Sequence, residues 1–223
     1  MNELRNCDFY TTREEARAVY ERIVGQLKPY MEFDVWLFQT YKPKEDELIY
    51  HCPIFDVMKA PEVQPNFRPI KIKSKDWVAV VIEKDGKFLM ETQLRYGLGI
   101  KETEFPCGMV EDGESPLNAA YREVKEETGL DIPIGEFHSL GKYAANPAFM
   151  TNHMNYFYVN LDNVDFHIGE TNFDEHEELT SFWKDKYEVR HVLLNNENAS
   201  IFMTGVFMLL HRFRYFKFDE FAE

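Results

Sequence analysis

Cysteine, concentrated positive charge and long apolar runs are all scarce in this chain of 223 residues. Cys7, Cys52 and Cys107 are three in number, scattered and without CxxC spacing, which argues against a disulfide framework. They are expected to be reduced thiols in a cytoplasmic protein. The seven histidines are equally dispersed, so no zinc site is expected. No Lys/Arg-rich run offsets the formal charge of −14, and without a positive field a nucleic-acid partner is not expected. A small phosphorylated substrate stays compatible if bound cations neutralise its site. The longest apolar stretch, around Ile201 to Leu210, is too short to span a membrane. Met1 to Arg22 alternates charges and lacks the apolar centre of a signal peptide. Repeats and low-complexity segments are absent as well.

What is present is enough for a substantial core: hydrophobic residues make up 44% and aromatics 15%. The length suits one large domain, or a domain of about 150 residues with an appendage. Thr12 and Glu15 have the spacing of a capping box. Ala16, Val19, Tyr20, Ile23 and Leu27 follow at helical intervals, predicting an amphipathic helix that ends near Pro29. From Phe33 to Ile72 short apolar runs broken by prolines read as strands and loops. Trp77–Ile82 and Phe88–Thr92 are β-rich runs joined by Lys84-Asp85-Gly86-Lys87, a hairpin signal. A helix is expected from Pro116 to Thr128, a strand at Asn155–Asn160 and a last helix over Ala199 to Arg214. The fold class is therefore α+β, a mixed β-sheet sandwiched between α-helices, with an N-terminal extension of helix and strands over 1–75 and the main domain over 76–223.

The stretch Gly108 to Leu130, GMVEDGESPLNAAYREVKEETGL, carries the chemistry. Ser115 suits a helix cap, Pro116 the first turn, and Gly129 a left-handed close. At about 100° per residue, Leu117, Ala120, Tyr121, Val124 and Thr128 share one stripe, and Glu123, Glu126 and Glu127 an adjoining one. Each like-charge pair at these spacings costs about 0.2–0.5 kcal/mol. The helix dipole disfavours anions in the last turn by about 0.3–1 kcal/mol each. A solvated acidic face is one reading. A divalent cation such as Mg²⁺, which prefers oxygen ligands, is the other.

The fixed spacing decides between them. Gly108, five residues, Glu114, seven residues, Arg122-Glu123-Val124, one residue, Glu126-Glu127, one residue, Gly129 and Leu130 resemble the Nudix box at every defined position. The resemblance implies a loop-helix-loop beside a mixed sheet, and hydrolysis of a diphosphate linking a nucleoside to another group. By that resemblance Glu123 and Glu127 are the main ligands of Mg²⁺ or Mn²⁺. Glu126 is a ligand or the catalytic base, and the backbone carbonyl of Cys107 a further ligand. Arg122 is expected to orient the carboxylates, through Glu114.

Outside the box, Gln93-Leu94-Arg95 and Glu104-Phe105-Pro106-Cys107-Gly108 resemble the Q-x-R…E-x-P-x-G pattern of ADP-ribose and ADP-sugar pyrophosphatases. In that branch the arginine, here Arg95, binds phosphate and the glutamate, here Glu104, helps recognise the nucleotide. Pro147, 18 residues past Gly129, resembles a proline that shapes the nucleotide pocket, at slightly longer spacing. The acidic run at 174–178 resembles a loop that supplies a general base, and Glu177 is its candidate. Gly97 and Gly99 lack the helix and lysine of a phosphate loop and read as a turn. The leading expectation is hydrolysis of ADP-ribose or an ADP-sugar to AMP and a sugar phosphate. A dinucleoside polyphosphate or oxidised nucleoside triphosphate hydrolase is the alternative. A ligand sensor in a regulator is the alternative from another class, disfavoured by the intact box and short tail. The extension resembles those that build homodimers in this branch.

Overall fold

The computed structural model describes residues 45–61, 68–95, 99–173 and 179–194, with Glu14, Arg17 and Ala18. Those last three are helical and exposed, within the helix expected after Thr12. The rest of that helix, the helix expected over 199–214 and the acidic run at 174–178 lie outside the described residues. Contact density divides the chain into two units: Met1–Ser74 with Asn146–Thr151, and Lys75–Ala145 with Asn152–Glu223.

In the first unit, β1 (Glu47–His51), β2 (Phe55–Lys59) and β3 (Ile70–Ser74) form an antiparallel sheet in the order β1-β2-β3. The segment Asn146–Thr151 belongs with it through backbone bonds. The Ile72 N–H donates to Phe149 O at 2.7 Å, and the Thr151 N–H donates to Ile72 O at 3.0 Å.

The second unit is built on β4 (Trp77–Lys84), whose apolar run is buried on both faces. Val78, Val80 and Ile82 point to one side, where Ala119, Ala120 and Val124 of α1 (Pro116–Thr128) cover them. Ala79 and Val81 point to the other, into a core that includes Val189 of α2 (Lys186–Leu194). The sheet therefore lies between two helices. β5 (Lys87–Arg95) returns from β4 through Asp85 and Gly86, both at positive φ (51° and 70°), which match a hairpin turn that follows the sheet's own twist. β10 (His153–Asn160) runs parallel to β4, β9 (His138–Ala144) antiparallel to β10, and β12 (Thr180–Asp185) antiparallel to β5.

One feature of this sheet creates the site. β4 and β5 pair only near their turn, from Ile82↔Leu89 to Lys84↔Lys87, and then part. Into the fork go β6 (Ile100–Glu104), paired to β5, and β7 (Cys107–Met109), paired to β4. Phe105, fully buried, fills the fork, and Val80 donates its N–H to Pro106 O at 2.9 Å. Beyond α1, the short strands β8 (Leu130–Asp131) and β11 (His167–Ile168) pair. They bring the backbone of Gly169 and Asn172 to the end of the helix: Gly169 N–H donates to Gly129 O at 2.7 Å and Asn172 N–H to Glu126 O at 2.8 Å.

Candidate functional site

The box helix begins and ends as its sequence dictates. Ser115 takes an extended conformation and its side chain accepts the Asn118 N–H at 3.2 Å, Pro116 opens the first turn, and Gly129 closes the helix at φ 72° with its N–H on Lys125 O. Between these caps the structure departs from the simple wheel in two ways. Ala119 is fully buried, although the apolar stripe passed it over, and Glu127 at 4% exposure is as buried as the core. The helix is covered over a wider arc than one stripe, by β4 on the side of Ala119 and by β7 on the side of Glu127.

Arg122 organises the acidic residues. Its Nε and Nη2 bind Glu114 Oε1 and Oε2, both at 3.1 Å, in a two-pronged pair. Nη1 reaches Glu123 at 2.9 Å and Glu126 at 3.0 Å, and Nη2 also donates to Met109 O at 2.9 Å. Burial works against this cation, but Glu114, Glu123 and Glu126 more than offset it and hold its pKa above the ordinary value. Its hydrogen bond in turn holds the Glu114 carboxyl below the usual carboxylate range. Glu127 Oε2 accepts the Cys107 N–H at 3.0 Å, a needed partner for a carboxylate so deeply set. Gly108 lies directly under Glu123: a Cβ there would stand 2.1 Å from that carboxylate carbon.

These contacts bear on metal binding. Three carboxylates, Glu114, Glu123 and Glu126, share one guanidinium and Glu127 stands near them on the Cys107 N–H, so the cluster holds more negative than positive charge, and its donors are the hard oxygens that Mg²⁺ and Mn²⁺ prefer. The composition fits such a cation. In the present arrangement Glu123 and Glu126 turn onto Arg122, and among the described residues no three acidic, histidine or cysteine groups converge on one point.

The wedge supplies the neighbouring groups. Arg95, at the end of β5, sets Nη2 2.6 Å from Glu104 Oε1 as an ion pair off the hydrogen-bond axis, and donates from the same nitrogen to Cys107 Sγ at 3.0 Å. Burial opposes the Arg95 charge, but the Cys107 sulfur and Glu104 more than offset it and raise its pKa. Burial pushes Glu104 up against the pull of Arg95, and pushes the Cys107 thiol well up. Arg95, Gln93, Arg122 and Glu123 line one cleft of ≈ 130 Å³ with Lys75, Trp77, Cys107, Gly108, Met109 and Glu111.

Of the residues expected from sequence, Arg95, Glu104, Cys107, Gly108, Glu114, Arg122, Glu123, Glu126 and Glu127 come together here, with Gly129 at the helix end. Pro147 is exposed in the first unit, and Glu177 lies outside the described residues. Sequence reasoning missed Trp77, Met109 and Lys75 of the cleft wall. It also missed Glu91, a carboxylate 1% exposed on β5 that accepts Ser181 Oγ at 2.9 Å. A glutamate amid the apolar residues of a central strand was the one available signal.

Comparison with known proteins agrees with this geometry. A mouse (Mus musculus) ADP-sugar pyrophosphatase is 46% identical over 48 residues, 22% of this chain and 22% of that protein. The CTP pyrophosphohydrolase of Escherichia coli (strain K12) is 36% identical over 66 residues, 30% of this chain and 49% of that protein. The chain thus spans about half or less of the curated relatives it matches. A solved structure, described as an ADP compounds hydrolase, shares the fold with a TM-score of 0.61 at 20% identity, over 76% of this chain and 91% of its own. Residues 73–203, more than half of the sequence and the whole of the wedge and box helix, match the NUDIX domain. The chain belongs to the Nudix family.

Proposed function

We propose that the chain is a Nudix hydrolase that cleaves the diphosphate of ADP-ribose or an ADP-sugar, giving AMP and a sugar phosphate. The observation that carries this reading is one cleft lined by Arg95, which pairs with Glu104, and by Arg122 with its partner Glu123. Resemblance to the mouse ADP-sugar pyrophosphatase supports it. In this reading Arg95 grips a phosphate oxygen with a charge that does not titrate near neutral pH. Glu123, Glu126, Glu127 and the Cys107 carbonyl would hold Mg²⁺ or Mn²⁺, which supplies neutralisation of the diphosphate and acidifies water at the site. Arg122 keeps the carboxylates from mutual repulsion before they turn to the ion. Glu126 or Glu177 takes the proton of the attacking water. Its oxygen bonds to one phosphorus as the bridging P–O bond breaks.

A second reading, hydrolysis of nucleoside triphosphates or dinucleoside polyphosphates, is favoured by the likeness to the CTP pyrophosphohydrolase. A substrate screen with product identification separates the two. ADP-ribose should yield AMP and ribose 5-phosphate with the highest kcat/KM, and triphosphates that beat every nucleoside diphosphate sugar would overturn the branch. Glu127→Gln should cut kcat by at least about a hundredfold without loss of fold. Ligand binding with no hydrolysis of any nucleotide would instead favour a sensor. We further propose a cytoplasmic homodimer mediated by residues 1–75. Light scattering that reports a monomer at all concentrations would remove the dimer.

A further inference from the structure

Glu91 sits in the middle of β5 at 1% exposure, where its neighbours Leu89 and Met90 are core residues. A carboxylate so deeply set is costly unless it is bonded, and an apolar side chain would fill the place without that cost. Its direct cross-strand partner on β12 is Ser181, whose Oγ donates to Glu91 Oε1 at 2.9 Å. The same Oγ stands 3.5 Å from Glu127 O, in the last turn of α1. Carbonyls in a last turn have no partner further along the helix. Here Lys125 O takes the Gly129 N–H, Glu126 O takes the Asn172 N–H, and Glu127 O has the Ser181 hydroxyl within reach.

We propose that Glu91 and Ser181 are positioning residues for Glu127, an inference that rests on the assignment of Glu127 as a metal ligand above. Glu127 is then held at two points. Its carboxylate accepts the Cys107 N–H from β7 at 3.0 Å, and its backbone carbonyl meets the Ser181 hydroxyl from β12. Ser181 is exposed on a strand at the end of the sheet order, and a hydroxyl there is free to turn toward water. The Glu91 carboxylate, fixed in the core, keeps it turned inward. One proton between two acceptors then ties β5, β12 and the helix end together. A carboxylate already in place gives up less freedom when a cation binds. Loss of such supporting bonds costs about 10–100-fold in metal affinity.

The test uses the full chain and reads Mn²⁺ binding by calorimetry, with no nucleotide present. Ser181→Thr and Ser181→Val are alike in size, both suit a strand, and differ in the hydroxyl. Ser181→Thr should bind Mn²⁺ within about twofold of the parent, and Ser181→Val about tenfold more weakly. Glu91→Gln, which keeps an oxygen for the hydroxyl, should lie near the parent, and Glu91→Leu near Ser181→Val. Glu91→Leu combined with Ser181→Val should be no weaker than either alone, because the two residues act as one unit. That double variant leaves no carboxylate without its donor, so it serves if Ser181→Val alone fails to fold. A lowered thermal midpoint with unchanged Mn²⁺ affinity would make the pair merely structural and overturn the proposal. So would equal affinities in Ser181→Thr and Ser181→Val. Glu127→Gln separates the two levels. If it leaves Mn²⁺ binding intact, the ligand assignment falls and the proposal with it. If it weakens binding while Ser181→Val does not, only the positioning role falls. Cleavage of ADP-ribose enters none of these readouts, so a different substrate would leave the result standing.

Discussion

At Gly108 a hydrogen atom occupies the space that any other residue would give to carbon. The carboxylate it would strike is the free end of a flexible side chain, so the fold can absorb a methyl group there by moving Glu123. Gly108→Ala should therefore leave the thermal midpoint within a few degrees. It should lower kcat by about a hundredfold, the scale of a misplaced catalytic group. Calorimetry and steady-state rates on the same preparation check the split. Asp76 makes the opposite case, a stability residue away from the carboxylates. Its Oδ2 accepts Lys142 Nζ at 2.7 Å and its Oδ1 the His153 N–H at 2.8 Å. Burial would raise its pKa, but these bonds more than offset it and hold it below the usual value. Its contribution is then complete above an unfolded pKa of about 3.9 and is lost as pH falls through the folded one. Asp76→Asn should cost about 1–2 kcal/mol at pH 7 and progressively less as pH falls below about 3.9, by denaturant titration at each pH. The glutamates were legible in sequence because their spacing is local to one helix. Trp77 and Met109 were not, because only the register of β4 against β7 brings residues 32 positions apart together.

Elements differ in the same way. The box helix was readable to the residue, since Ser115, Pro116 and Gly129 each satisfy a backbone need at a fixed place. The β4–β5 hairpin was readable from Asp85-Gly86. β6 and β7 were not foreseen as strands: they are short, and their partners are the parted halves of a hairpin that the sequence presents as closed. α2 follows β12 without a break, and its start signal was passed over: Asp185 and Glu188 have capping-box spacing, and each side chain accepts the other's N–H at 2.9 Å. Gly129 joins two elements at once. A Cβ there would combine a left-handed φ of 72° with a contact of 2.5 Å to Gly169 O, and that atom is backbone and cannot swing away. Gly129→Ala should destabilise the chain by about 2 kcal/mol or more. A denaturant midpoint unchanged from the parent would contradict the account of how Gly169 and Asn172 clasp the helix.

For the whole molecule, the charge of −14 and the crowded carboxylates point the same way. A cation that binds the folded site and not the unfolded chain must stabilise it, by about 2.7 kcal/mol at one hundred times its Kd. Mg²⁺ should then raise the thermal midpoint by several degrees, EDTA should reverse the rise, and Glu127→Gln should abolish most of it. No shift at concentrations that support turnover would count against the ligand set. Proline-broken runs before Trp77 mark a change of pattern in the sequence, whereas nothing local marks 146–151 as grouping with residues before 75. That grouping rests on two backbone bonds to Ile72, which any sequence could make.

The turn at Asp85-Gly86 has a practical use. A Cβ on Gly86 would meet nothing within 4 Å, and Asp85, Gly86 and Lys87 are all exposed. Trp77 begins the same strand that this turn ends. At about 3.3 Å per residue, the two lie roughly 23 Å apart along the strand. A fluorophore or affinity tag grafted at the turn would ride on the rigid centre of the sheet, far from the parted strands. It would give a handle for attaching the protein to a surface or a reporter with the cleft left open.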